Sequence, residues 1–137
     1  MSCLKDSILF QMANDSLKFS HSPYSQKRIA ASLKLTNGKM YSGCNIENAS
    51  YGGTVCAERV AIFKAYSENL ATEKIEEMII LSEAQDPWPP CGFCRQVIAE
   101  FGKPDTKIII CNVQGYCRHL VFTEIFPEAF SPLQMKK

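Results

Sequence analysis

Two short runs in this chain carry residue types that can do metal chemistry: Val55-Cys56-Ala57-Glu58-Arg59 and Pro90-Cys91-Gly92-Phe93-Cys94-Arg95-Gln96. Together they offer three thiols and one carboxylate. Three thiolates fill three corners of a zinc tetrahedron and leave the fourth for water, a vacancy that catalytic zinc needs and structural zinc closes. Cys56, Cys91 and Cys94 are therefore the expected ligands of one Zn²⁺ per subunit. Glu58 follows the first cysteine too closely to be a comfortable fourth ligand, but it is well placed to exchange protons with bound water, which makes it the expected catalytic residue. Both runs sit where a strand or loop feeds a helix start. The exposed N–H groups and partial positive charge there favour thiolate over thiol. Three thiolates on one Zn²⁺ leave a net charge of −1. Arg59 and Arg95, close behind the ligands, are placed to donate hydrogen bonds to sulfur and offset it.

Two plainer readings compete. Cys91-Gly92-Phe93-Cys94 alone has the spacing of a redox pair, and a structural zinc site closed by Cys44, Cys111, Cys117 or a histidine is possible on composition. The third cysteine and the glutamate argue against the first; against the second, Cys44 reads as a buried small hydrophobe, Cys111 and Cys117 as free thiols, and His21 and His119 stand apart from every motif.

The elements that must hold these residues read as follows. Leu4 to Phe19 is expected to be one amphipathic helix, with Leu4, Ile8, Met12 and Phe19 near helical spacing. Ile29–Leu35 and Met40–Ile46 read as strands joined at Asn37-Gly38, a two-residue hairpin signal. A helix opens near Cys56. Lys74–Ala84 holds a buried strand around Met78-Ile79-Ile80-Leu81, and a proline-rich loop leads to a second helix near Gly92. Lys107–Val113 and Cys117–Phe122 are further strands, and a last short helix precedes Pro127. The order α-β-β-α-β-α-β-β-α predicts an α/β fold, a mixed sheet with helices packed on it.

The chain has 137 residues, 46% hydrophobic and 21% charged, with a formal net charge of +1. That is enough for one globular domain spanning 1–137, with a core. Scattered basic residues argue against a nucleic acid polymer as partner, which needs a concentrated positive stripe. No apolar run reaches membrane-spanning length, and the first residues lack a signal-peptide core. Seven cysteines, an odd count, fit a reducing cytoplasmic location with metal-bound and free thiols.

With these residues in hand, the chain resembles the small homotetrameric cytidine deaminases, from Pro23-Tyr24-Ser25 to Ala129-Phe130. The resemblance includes Gly43-Cys44-Asn45-Ile46-Glu47-Asn48-Ala49-Ser50-Tyr51 and both cysteine runs. The layout of three zinc-binding cysteines, a non-ligand glutamate and Pro-Cys-x-x-Cys is the one given in general for zinc deaminases. The resemblance implies an α-β-α layered fold around a five-stranded mixed sheet. It implies zinc-dependent deamination of cytidine and 2′-deoxycytidine to uridine and 2′-deoxyuridine in pyrimidine salvage. In that reading Cys56, Cys91 and Cys94 hold zinc, and Glu58 shuttles a proton from water to N3 and then to the leaving ammonia. Asn45 and Glu47 bind the ribose, the Ala57 amide holds the base O2, and Phe130 is lent to a neighbouring subunit's pocket in a homotetramer with shared active sites.

The sequence departs from the family at two positions that bear on substrate. The family carries a base-stacking aromatic two positions after Ser25, where this chain has Lys27; and Phe93 stands where a small alanine is usual. A lysine stem can cover a base face but does not stack as a ring does. The alternative reading is a zinc deaminase acting on an N4-substituted cytidine or another nucleoside. A non-catalytic zinc-stabilised binding module is the remaining alternative.

Overall fold

A computed structural model describes residues 2–135, with side chains from Leu4 onward. The expected N-terminal helix is broken into two, α1 (Ser2–Lys5) and α2 (Ile8–Leu17). The break lies at Ser7, whose hydroxyl accepts the Phe10 N–H at 3.1 Å as an N-cap. The buried stripe of α2 is Leu9, Phe10, Ala13 and Leu17, whereas Ile8 is 61% exposed and Phe19 70% exposed. The face read from Leu4, Ile8 and Met12 was thus one residue out of phase. The i, i+4, i+8 series that packs starts at Leu9.

Strands β1 (Ile29–Leu35) and β2 (Met40–Cys44) form the predicted hairpin. Its loop has three residues, not two. The Leu35 N–H bonds to the Lys39 carbonyl at 2.9 Å, the Gly38 N–H bonds back to the Leu35 carbonyl at 2.9 Å, and Gly38 takes φ +87°. This is a turn closed by a left-handed residue, where glycine carries no steric penalty. The chain continues through a single 3₁₀ turn (Tyr51–Gly53), α3 (Ala57–Tyr66), β3 (Ile75–Ser82), α4 (Gly92–Phe101), β4 (Gly102–Asn112), β5 (Cys117–Val121), α5 (Phe122–Ile125) and α6 (Pro132–Met135). Strand β4 starts well before the expected Lys107.

The sheet has five strands in the order β2-β1-β3-β4-β5; β3 and β4 are parallel and the other neighbours antiparallel. The parallel pair is joined through α4, the helical crossover that parallel strands require. Residues alternate between two apolar layers. Leu33, Met78, Ile80, Ile108 and Ile110 pack with Ala61, Ile62 and Ile98 from α3 and α4. Ala30, Ile79, Leu81 and Ile109 pack with Leu9, Phe10 and Ala13 of α2. Covered on both faces, β3 reads as a continuous apolar run and not an alternating one. The α-β-α layering expected from the resemblance is present.

Gly43 sets how closely α3 approaches the sheet. A Cβ there would lie 2.8 Å from the Ala61 N and 2.8 Å from Val60 Cγ1. Any side chain at this position would push α3, and the residues at its start, away from β2. Among the described residues no helix is long and apolar enough to cross a membrane.

Candidate active site

Cys56 and Cys91 are the residues immediately before α3 and α4, each with an extended backbone and neither sulfur spent on capping its own helix. The approach to α3 is fixed by a two-way bridge between Val55 and Ile46, with both N–H···O bonds at 2.9 Å. That bridge ties the segment following β2 to the residue before Cys56. Cys94 is the third residue of α4 and is fully buried. The three Sγ atoms lie within 4.8 Å of one another, and Cys56 and Cys91 are 3.8 Å apart. Two sulfurs about 2.3 Å from one zinc at tetrahedral angles stand about 3.8 Å apart, so the triad fits that ion. Among the described residues it is the only group of three or more such ligand side chains this close. Cys44, Cys111, Cys117 and the histidines do not join it, so the closed structural site is not formed.

The charges around the triad have identifiable causes. Hydrogen bonding from the Cys94 thiol, and then from Arg59, lowers the Cys56 thiol to about 5. The same contact with Cys56, together with burial, pushes Cys94 up. Sulfurs this close resist becoming thiolates together unless a cation shares the site. Arg59 Nη2 donates to Cys56 Sγ at 3.5 Å, as expected. Arg95 does not reach sulfur: its Nε donates to the Pro90 carbonyl at 2.8 Å and its Nη1 to the Ile125 carbonyl. It braces the loop before Cys91 against α5. Glu58, 4% exposed, is the second residue of α3, in its first turn, and burial raises its carboxyl to about 7.

A cleft of about 370 Å³ opens beside the sulfurs, lined by Cys56, Ala57, Glu58, Cys91, Lys27, Asn45, Glu47 and Trp88 among others. Thus Lys27, Asn45, Glu47, Cys56, Ala57, Glu58 and Cys91 come together on one cleft wall, and the buried Cys94 joins them through the sulfur triad. Arg59 stands behind Cys56, and Phe130 does not line this cleft; its ring is 56% exposed and its carbonyl accepts Gln96 Nε2 at 2.7 Å. Ala57, first residue of α3, has an N–H with no carbonyl one turn back to receive it.

Asn45 and Glu47 face the cleft from the end of β2, but both are heavily engaged. The Asn45 Oδ1 accepts Ser20 Oγ and the Ile29 N–H at 3.0 Å, and its Nδ2 donates to the Lys27 carbonyl at 2.7 Å. Glu47 accepts the Tyr24 N–H at 2.9 Å, the Ser25 N–H at 3.1 Å and the Ser25 hydroxyl. The Ser25 hydroxyl holds its carboxyl below the usual range. The pair therefore moors the loop between α2 and β1 in which Gln26 takes φ 57°. Trp88 is the residue sequence reasoning passed over. It is 43% exposed and forms part of the cleft wall. The available signal was a lone tryptophan between prolines, directly before the second cysteine run.

A family profile described as "Cytidine and deoxycytidylate deaminase zinc-binding region" matches residues 4–111. The chain belongs to this family. Among relatives, a cytidine deaminase of Halalkalibacterium halodurans is 43% identical over 113 residues, covering 82% of this chain and 84% of the relative. One of Sporosarcina psychrophila is 39% identical over 109 residues, covering 80% and 79%. Among solved structures, cytidine deaminase from Burkholderia pseudomallei superposes with a TM-score of 0.82 at 36% identity, covering 89% of this chain and 96% of that one. As a member of the cytidine and deoxycytidylate deaminase family, the chain is a hydrolytic deaminase with a zinc-binding domain, and Cys56, Cys91 and Cys94 are the group positioned for its metal.

Proposed function

We propose that this chain hydrolyses cytidine and 2′-deoxycytidine to uridine and 2′-deoxyuridine, releasing ammonia, as a step in pyrimidine salvage. The observation that carries the reading is a buried carboxylate, Glu58, on the wall of one cleft beside a cluster of three sulfurs, two of whose residues, Cys56 and Cys91, share that wall. When bound to Cys56, Cys91 and Cys94, zinc supplies the Lewis acidity that makes water a nucleophile near neutral pH. Glu58 would take a proton from water and pass it to N3 as the hydroxide oxygen bonds to C4, then take the proton of the new C4 hydroxyl and give it to the amine as the C4–N bond breaks, leaving the C4 carbonyl and free ammonia. The Ala57 N–H holds the base O2. Asn45 and Glu47 meet the ribose through what their internal bonds leave over, the second Nδ2 proton and the remaining carboxylate lone pairs. Trp88, with the Lys27 stem opposite the aliphatic wall, offers the base an aromatic surface.

The relatives' shared name supports cytidine over an N4-substituted analogue as the substrate. A homotetramer formed in the cytoplasm from single-domain subunits completes the reading, with each exposed Phe130 ring lent to a neighbour's cleft. Light scattering on the purified chain reads the assembly; a monomer counts against the shared pocket. The decisive assay follows ultraviolet absorbance across cytidine, deoxycytidine, cytosine and N4-substituted cytidines. Turnover of the first two is expected; turnover confined to N4-substituted compounds, or to none, overturns the proposal.

A further inference from the structure

Phe93 lies between Cys91 and Cys94 on α4, but its ring is 66% exposed and is not part of the cleft wall. A phenyl ring left this open gains little from burial. What it does contact is a charge: the guanidinium carbon of Arg59 lies over the ring, 4.2 Å from its centroid. The same guanidinium donates through Nη2 to Cys56 Sγ at 3.5 Å. Its Nε is buried and has no hydrogen-bond partner among the described residues. Arg59 is therefore held by edge contacts to the Cys56 and Cys94 sulfurs and by one face contact to the ring. The Cys56 contact alone is long, and a flexible arginine stem has many other rotamers in which water takes its donors. A planar guanidinium resting on an aromatic face keeps its in-plane N–H groups free to point elsewhere. The ring and the sulfur thus restrain the same group in complementary directions.

We infer that Phe93 is a positioning residue: its ring holds the Arg59 guanidinium in the orientation that donates to the Cys56 sulfur, and so tightens the site's grip on zinc. The inference rests on the zinc-site reading and not on which nucleoside is the substrate. Arg59 is the side-chain link between the Phe93 ring and the Cys56 sulfur in this scheme, so the two residues act in series.

The test is a double-mutant cycle on the zinc-loaded full chain, reading the rate at which zinc passes to an excess of chromogenic chelator. Phe93→Ala is expected to speed release about tenfold, the scale of lost support behind a metal ligand. Phe93→Tyr, which keeps the ring face, is expected to stay close to the parent rate. In an Arg59→Gln background, which itself releases zinc faster than the parent, Phe93→Ala is expected to add nothing. Unchanged release for Phe93→Ala or for Arg59→Gln overturns the inference, as does equal acceleration by Phe93→Ala in both backgrounds. So does a lowered melting temperature of the metal-free Phe93→Ala chain, which would make the ring a packing element. Failure to deaminate any nucleoside would sink the proposed function and leave this cycle readable.

Discussion

At the residue scale, the site separates the three sulfurs positioned for the metal from Glu58, the group proposed to move protons. Glu58 lies two residues after a cysteine of the triad, inside the helix, and burial is the main cause that makes its carboxyl more basic than a surface glutamate, with the Cys56 charge adding to it. A Glu58→Gln chain keeps the shape and the sulfurs but has no proton acceptor. Its turnover of cytidine is expected to fall by about 10²–10⁴-fold while its zinc content, read by elemental analysis, stays that of the parent. Loss of zinc with loss of turnover would make Glu58 part of the metal's support. Trp88 tests the opposite wall. If the indole is the surface against which the base rests, Trp88→Ala should raise KM for cytidine about tenfold and leave kcat nearly as it was, since a stacked base is worth roughly 1–3 kcal/mol. A changed kcat at constant KM would put Trp88's role in the chemical step.

At the scale of elements, α3 and α4 present their starts to the metal and are clamped together at their ends. Tyr66, last residue of α3, stacks on Phe101, last residue of α4, with ring centroids 4.1 Å apart and planes at 20°. Its hydroxyl donates to the Glu73 carbonyl at 2.7 Å. Burial pushes this phenol up to about 12, so the fold favours the neutral form. The sign follows directly. The bond's contribution is present below the phenol's ordinary pKa of about 10, and it is lost as pH rises towards 12. Tyr66→Phe should therefore cost about 1 kcal/mol at neutral pH, seen as a lower Tm, and the gap to the parent should narrow above about pH 10. A gap that stays constant to the highest pH at which the chain folds would show that the phenol does not titrate against the fold.

At the scale of the whole molecule, the metal is a cross-link. The ligands come from two helices separated by all of β3, so an ion holding Cys56, Cys91 and Cys94 joins the two segments flanking the central strand. Free energy of binding to a site that exists only in the folded chain is free energy of folding. Stripping zinc with a chelator should lower Tm by about 10 °C or more, and added Zn²⁺ should restore it. An unchanged Tm would mean the three sulfurs are placed equally well without it, with the sheet and the α3–α4 clamp supplying all the rigidity.

Residue type and short-range spacing were enough to find the three cysteines that the fold gathers into one metal-sized cluster, and most of the order of the elements. Cysteine chemistry and helix starts are local properties, and buried strands such as Met78-Ile79-Ile80-Leu81 carry their own apolar signal. The mixed sheet was legible from the order of the elements and its five strands from the family's motifs, which are also what carries the proposed ribose roles of Asn45 and Glu47. What spacing could not supply was phase and partner. The N-terminal helix turned on Leu9 and not Ile8 because the sheet beneath it selects the face. The hairpin took a third loop residue because Gly38 adopted the left-handed turn. Arg59 and Arg95 look alike in sequence, yet only the first reaches sulfur, and Trp88 becomes a wall of the cleft only because the fold brings the loop before Cys91 to the same cleft as Lys27. Each of these depends on which groups meet across the fold, and such distances are set by tertiary packing, not by neighbours along the chain.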